Sequence, residues 1–345
     1  MSEVVIISTG GTIASRADAA GAQVAAVGGE ELLLSVSVPG DLHVRVRDLF
    51  SINSFAMDVA EMDAIRRAVD QALADQAVTG VVVTHGTDTL EETAFLVDLF
   101  HSDPRPVIFT GAQRSADASG GDGPANLADA IRLAACASVR GLGVLIAFNG
   151  SVYPARGSRK SHTTAPDTFS NRDAGPLGYL DQGRYTPAMT TPACRQALRG
   201  EDADFSGIRV DTVALYPGVD STAIDAYVAG GAHGLVLEAT GTGNANPVVA
   251  AAVARHTAAG VPIVLSTRVD AGPVSPIYGG GGGFDLVASG AIPAGLLRPS
   301  QARIQLLALL ATRSGRERIC DAFSAAAPEC TEIVSPPASS TEGKQ

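Results

Sequence analysis

The sequence predicts an α/β fold, with two α/β domains built on largely parallel sheets. Three observations lead there. Short apolar runs recur and are continuous rather than alternating, which is how strands buried on both faces of a parallel sheet read. Stretches with helical spacing lie between them, and strands alternating with helices give an α/β architecture. The chain has 345 residues, a length that suits about two domains. It is 46% hydrophobic, enough for substantial cores.

In chain order, the first apolar run is Val4–Ile7. The stretch "EMDAIRRAVDQALADQ" follows, where Met62, Ile65, Val69 and Leu73 fall near helical spacing. Val81–Val83 and Val107–Phe109 read as strands. In "DGPANLADAIRLAACA", Pro124 suits a first helical turn, with Leu127, Ile131 and Ala134 on one side. Val144–Phe148 is the next run. Residues 186–207 mix prolines, threonines and charges, and read as a linker between a domain at 1–185 and another at 208–330. Beyond it, Val213–Leu215, Leu235–Leu237 and Ile263–Leu265 repeat the strand signal. Residues 331–345 are polar and rich in Pro and Ser, the composition of a disordered tail.

A formal net charge of −11 disfavours nucleic acid and anionic membranes as partners, although a small anionic substrate sees only its local field. No apolar stretch is long enough to span a bilayer. The start of the chain lacks a basic stretch leading into an apolar run, so the protein is expected in the cytoplasm. Cys136, Cys194, Cys320 and Cys330 lack CxxC spacing, so they carry no metal or redox motif and are expected as buried free thiols.

The chemistry gathers where the strands end. Val4–Ile7 runs into Ser8, Thr9, Gly10, Gly11 and Thr12, and Val81–Val83 into Thr84, His85, Thr87 and Asp88. In open parallel sheets, ligands bind outside the carboxyl ends of the strands. Thr12 suits a cap or turn as well as a nucleophile. A phosphate-binding loop is disfavoured, because neither GxxxxGK[ST] nor GxGxxG is present there. Thr89 and Glu92 have capping-box spacing. Just ahead of them, a carboxylate beside a hydroxyl at Thr87-Asp88 suits binding an amine, orienting a lysine or positioning water. His85 is either a base or a hydrogen-bonded structural residue. Lys160 is either solvated in its loop or a base near Asp88, a role that requires desolvation. Asn244 and Asn246 suit turns or donation to a ligand carboxylate. The five glycines after Tyr278 make either a mobile or a very close-packed loop.

Taken together, "STGGTIAS", "THGTDTLEETAFL", "GAQRS", "DGPANL", "SRKSHTTAPDTF", "GTGNAN", "STRVDAGPV" and "GFDLVASGAI" resemble the bacterial-type L-asparaginase family, which includes the asparaginase-glutaminases. The likeness runs from about residue 3 to about residue 325. It implies a homotetramer of close dimers, with each site shared between the N-terminal domain of one subunit and the C-terminal domain of the next. The implied reaction is hydrolysis of a side-chain amide of a small amino acid through an acyl-threonine, with no metal or cofactor. By motif, Thr12 matches the nucleophile, and Thr87, Asp88 and Lys160 match a second catalytic set. Gly11 and Ser54 fall at substrate-binding positions. Phe55 stands where many members carry a polar substrate contact, and Asn246 matches an asparagine donated across the dimer. The chain departs from the family in its lid, residues 16–32, which has no tyrosine, and in residues 275–284, which have no glutamate partner for one. Tyr278 is the expected substitute, as a hydroxyl relay or as an aromatic packed at a subunit contact. The leading expectation is a cytoplasmic L-asparaginase. A broader side-chain amidase acting also on glutamine, and a catalytically weak binder of acidic amino acids, are the alternatives.

Overall fold

The structure is a computed structural model. It describes residues 2–18, 20, 22–25, 27–40, 42–188, 197–198 and 203–324. The expected tail at 331–345, Cys194 and Cys330 lie outside these residues.

Two sheets carry the chain. The larger has eight strands, five of them parallel and adjacent, in the spatial order Leu42–Ile52, Ser2–Gly10, Val78–Thr84, Val107–Thr110 and Val144–Phe148. Ser151–Pro154, Gly178–Asp181 and Arg184–Pro187 extend it by antiparallel pairing. The smaller sheet is parallel throughout and runs in chain order: Val210–Ala214, Gly234–Ala239, Ile263–Thr267 and Ile292–Pro293. The α/β expectation therefore holds, with largely parallel sheets.

The continuous apolar runs have a direct cause. Val4 and Ile6 point into a core shared with Leu127 and Ile131, while Val5 and Ile7 enter a separate core with Ile65 and Val69. Both faces of the sheet are covered by helices, so both sets of alternate residues are apolar. The helices follow the sequence spacing closely. Val59–Leu73 buries Met62, Ile65, Val69 and Leu73, with Asp58 and Glu61 forming a reciprocal cap at its start. Gly123–Ala134 begins with Pro124 in its first turn and buries Leu127, Ile131 and Ala134.

One helix joins the halves. In Leu90–Phe100 every residue but Glu92 is buried. One side of it faces the large sheet through Leu90, Ala94 and Val97, and the other packs Phe95, Leu96 and Leu99 against Ile304 and Leu307. A helix buried on nearly every side belongs inside a protein, and here it also buries Glu91 and Asp98.

Several sequence expectations need correction. Leu42–Ile52 is an edge strand with no continuous apolar run, because it alternates Val44 and Val46 inward with Arg45 and Arg47 outward. Residues 186 and 187, at the start of the expected linker, pair in the strand Arg184–Pro187, and Ala203 and Phe205 near its end are buried in a core. Cys136 and Cys320 are free but only half-buried. The glycine run is close-packed only in its second part: a Cβ on Gly281 would lie 2.2 Å from the Asn246 backbone carbon, whereas Gly279 and Gly280 are exposed.

Candidate active site

The order of the five parallel strands places a switch point between Ser2–Gly10 and Val78–Thr84. The chain leaves the first strand toward one edge of the sheet and the second toward the other, and the crevice opens at their carboxyl ends. The smaller sheet, in simple chain order, has no such reversal. Ser8 lies opposite Thr84, and Thr84 opposite Thr110, so three hydroxyl residues share one level at the strand ends.

Beyond that level the two loops touch through glycines. Gly10 and Gly11 take φ of 98° and 81°, which lets the chain turn sharply after the strand. A Cβ on Gly11 would sit 2.4 Å from both the Cα and the nitrogen of Gly86. Thr12 and Thr87 are the next residues on each side of that contact. Thr12 opens a single turn, Thr12–Ala14, whose N-cap position is Gly11, so Thr12 does not serve as its cap. Ser54 completes the cluster: it is buried, and its Oγ lies 2.5 Å from where a Gly86 Cβ would be.

Lys160 reaches this crevice from a short two-stranded ladder, Arg159–Lys160 with Phe169–Ser170. Its Nζ donates to Thr87 Oγ1 at 2.9 Å and to Asp88 Oδ1 at 2.7 Å. The lysine side chain is 17% exposed and the aspartate 51%, so one partner is shielded and the other faces solvent. Thr87 Oγ1 in turn donates a hydrogen bond to Gln113 Oε1 at 3.1 Å. Glu91 accepts the Lys160 backbone N–H.

His85 takes the structural alternative. It is fully buried, and burial pushes its imidazole down to about 4. Nδ1 lies 2.7 Å from the Gly86 carbonyl, which makes Nδ1 the protonated nitrogen of the neutral ring. Its Nε2 is a buried nitrogen without a partner. Thr89 and Glu92 do not form a capping box. Thr89 Oγ1 instead donates to the Ser54 carbonyl at 2.9 Å, tying the second loop to the Ser54 turn.

Phe55 follows Ser54 and is 71% exposed. Asn246 and Tyr278 lie apart from this group, in the loops of the smaller sheet. Asn246 caps the helix Pro247–Ala258 by accepting from Val249 N at 3.0 Å, and its Nδ2 donates to Val219 O at 2.8 Å. Tyr278 is 56% exposed, and its carbonyl accepts from Phe284 N.

The crevice with its two threonines and lysine is joined by independent evidence of kinship. Residues 3–191 match the model of the asparaginase N-terminal domain, and residues 209–323 match the glutaminase/asparaginase C-terminal domain. The chain belongs to the asparaginase family. It is similar to the probable L-asparaginase of Deinococcus radiodurans at 37% identity, over 93% of this chain and 97% of the relative. To the L-asparaginase of Bacillus licheniformis the identity is 34%, over 93% of this chain and 98% of the relative. The crystal structure of a probable cytoplasmic L-asparaginase from Campylobacter jejuni superposes with a TM-score of 0.83 at 28% identity, covering 94% of this chain and 99% of that one. Membership makes the chain a hydrolase of amide bonds.

Of the residues expected from the strand ends and from the family resemblance, Gly11, Ser54, Thr87, Asp88 and Lys160 gather at this crevice. The sequence assigned no role to Gln113 or Glu91, though both stand inside the motifs that carry the resemblance. Neither residue type announces chemistry on its own. Gln113 acquires its partner from 26 residues away and Glu91 from 69.

Proposed function

We propose that this chain is an L-asparaginase, hydrolysing the side-chain amide of L-asparagine to L-aspartate and ammonia through an acyl-threonine intermediate. The backbone contact of Gly11 with Gly86 carries the reading, because it brings the residues after them, Thr12 and Thr87, to one crevice with the Lys160 amine. The printed names of the Deinococcus and Bacillus relatives support the substrate.

In the proposed order, Thr12 Oγ1 bonds to the amide carbon, the C–N bond breaks, and ammonia leaves with the hydroxyl proton. Water then attacks the acyl carbon, the ester bond breaks, and aspartate departs as the threonine regains its proton. The Lys160 amine donates to Thr87 Oγ1 and Asp88 Oδ1, and this set is assigned to moving the proton of the reacting hydroxyl or water. Ser54, buried beside Gly86, is assigned to the substrate carboxylate, with Gly11 lining the same end and Phe55 at the mouth. Tyr278 is assigned as a hydroxyl relay and Asn246 as a substrate contact, each delivered from a neighbouring subunit of a homodimer or homotetramer in the cytoplasm. Among the described residues no helix is long and apolar enough to cross a membrane.

Ammonia release from asparagine, glutamine and their D-forms tests the reading. Thr12→Ala is expected to abolish turnover with the fold retained, and Lys160→Met to cut it by roughly 10²–10⁴. Undiminished release by Thr12→Ala overturns the assignment. Equal rates on asparagine and glutamine would favour the broader amidase, in line with the 32% identity to the glutaminase-asparaginase of Pseudomonas fluorescens biotype A over 79% of this chain.

A further inference from the structure

Lys160 is held at both ends by one segment. Its amine meets Thr87 and Asp88, and its backbone N–H meets Glu91, in the first turn of the helix that follows them. Glu91 is buried, and its second oxygen accepts from Ser300 Oγ at 2.8 Å. Ser300 stands in the first turn of the helix Pro299–Ala311, which belongs to the other half of the chain.

The next residue, Gln301, extends the connection. Its side chain is 2% exposed and every polar atom in it is engaged. Nε2 donates to Ala155 O at 2.8 Å, Ser158 O at 3.1 Å and Glu91 O at 3.3 Å. Oε1 accepts from Gly157 N at 2.7 Å. Three of these four partners lie in residues 155–158, the loop that leads directly into Lys160. The ladder with Phe169–Ser170 fixes the conformation of the lysine strand, but it does not fix that strand against the Thr87–Glu91 segment. The bonds through Glu91 and Gln301 do.

We propose that Glu91, Ser300 and Gln301 are positioning residues for Lys160, so that a helix of the C-terminal half sets where the amine stands in the N-terminal crevice. The inference rests on Lys160 acting in catalysis. Buried polar networks of this kind specify one arrangement when every member is satisfied. A displacement of about 1 Å at a reacting group costs up to ~10²-fold in rate. The Ser54 turn is tied to that segment by Thr89 Oγ1, not through Glu91 or Gln301, so substrate capture is expected to change little.

The test uses full-length Gln301→Leu and the milder Ser300→Ala, each alone and combined with Lys160→Met. Alone, Gln301→Leu is expected to lower kcat about 10- to 100-fold and Ser300→Ala about 3- to 10-fold, with KM within about threefold. Ser300→Thr, which keeps the hydroxyl, should restore the parent rate. In the Lys160→Met background both changes should leave the residual kcat where it was, because a residue acting through the lysine has nothing left to position. Parental kinetics for both single variants, with Lys160→Met still impaired, overturns the positioning role. So does an equal kcat loss with and without Lys160. An unimpaired Lys160→Met would instead refute the catalytic reading beneath it. If Gln301→Leu fails to fold, Ser300→Ala and Ser300→Thr decide alone.

Discussion

Glu92 is the half-buried member of an otherwise buried helix, and burial of its carboxyl raises it to about 7, with Arg303 opposing the shift and Glu91 adding to it. A carboxyl raised in the folded state holds its proton longer there than in the unfolded chain. Stability therefore falls as pH rises from about 4.5 to about 7, and is level outside that window. Glu92→Gln removes the charge, so its stability relative to the parent should climb through the same window, by on the order of 2–3 kcal/mol. Urea unfolding of both proteins at pH 5 and pH 8 checks this, and an unchanged gap refutes it. His85 works with the opposite sign. Its folded value of about 4 lies below its ordinary one, so its share of stability is present above about 6.5 and is lost as pH falls through 4. At this scale the sequence was legible where residue type and local context coincide, as for Thr87 and Asp88, which the strand end sets against the Lys160 amine. Gln301 was illegible, since a buried glutamine reveals nothing until a chain 143 residues away meets it.

Among elements, the turn after the first strand governs how the crevice forms. Gly11 combines a φ of 81° with backbone on the far side of its missing Cβ, and backbone cannot swing aside as a side chain does. Gly11→Ala should push the Gly86 loop away and separate Thr12 from Thr87. The expected cost is about 2–4 kcal/mol of stability and nearly all turnover. Gly40→Ala is the control, as nothing lies within 4 Å of a Cβ there, and it should stay within about 0.5 kcal/mol of the parent. Thermal unfolding with ammonia release measures both, and a fully active Gly11→Ala would show that the glycine contact is dispensable. The buried parallel strands were readable because two covered faces make every residue apolar. The edge strand Leu42–Ile52 was missed because one side of it faces water through Arg45 and Arg47. Its C-terminal end still matters to the site, since the Ile52 carbonyl accepts the Gly11 N–H at 3.1 Å.

Across the whole molecule, the two halves were legible as separate sets of strands, but the source of every group in the site is a question of assembly. Asn246 and Tyr278 stand in loops of the smaller sheet, and Ile277, Tyr278 and Phe284 are all exposed in the single chain. If each site takes Thr12 from one subunit and Asn246 from the next, two inactive variants should repair one another. Thr12→Ala supplies an intact Asn246, and Asn246→Ser supplies an intact Thr12. Serine is chosen because its hydroxyl still caps the helix at Val249 while the amide donor is lost. After the two are mixed, unfolded and refolded together, random pairing makes half of the dimers mixed. One of the two sites in each mixed dimer is whole, so activity should return to about a quarter of the parent level. The same proteins refolded separately should remain inactive. No recovery on mixing, with sedimentation showing normal assembly, would mean that each chain builds its site alone, and Asn246 would then be a helix cap and nothing more.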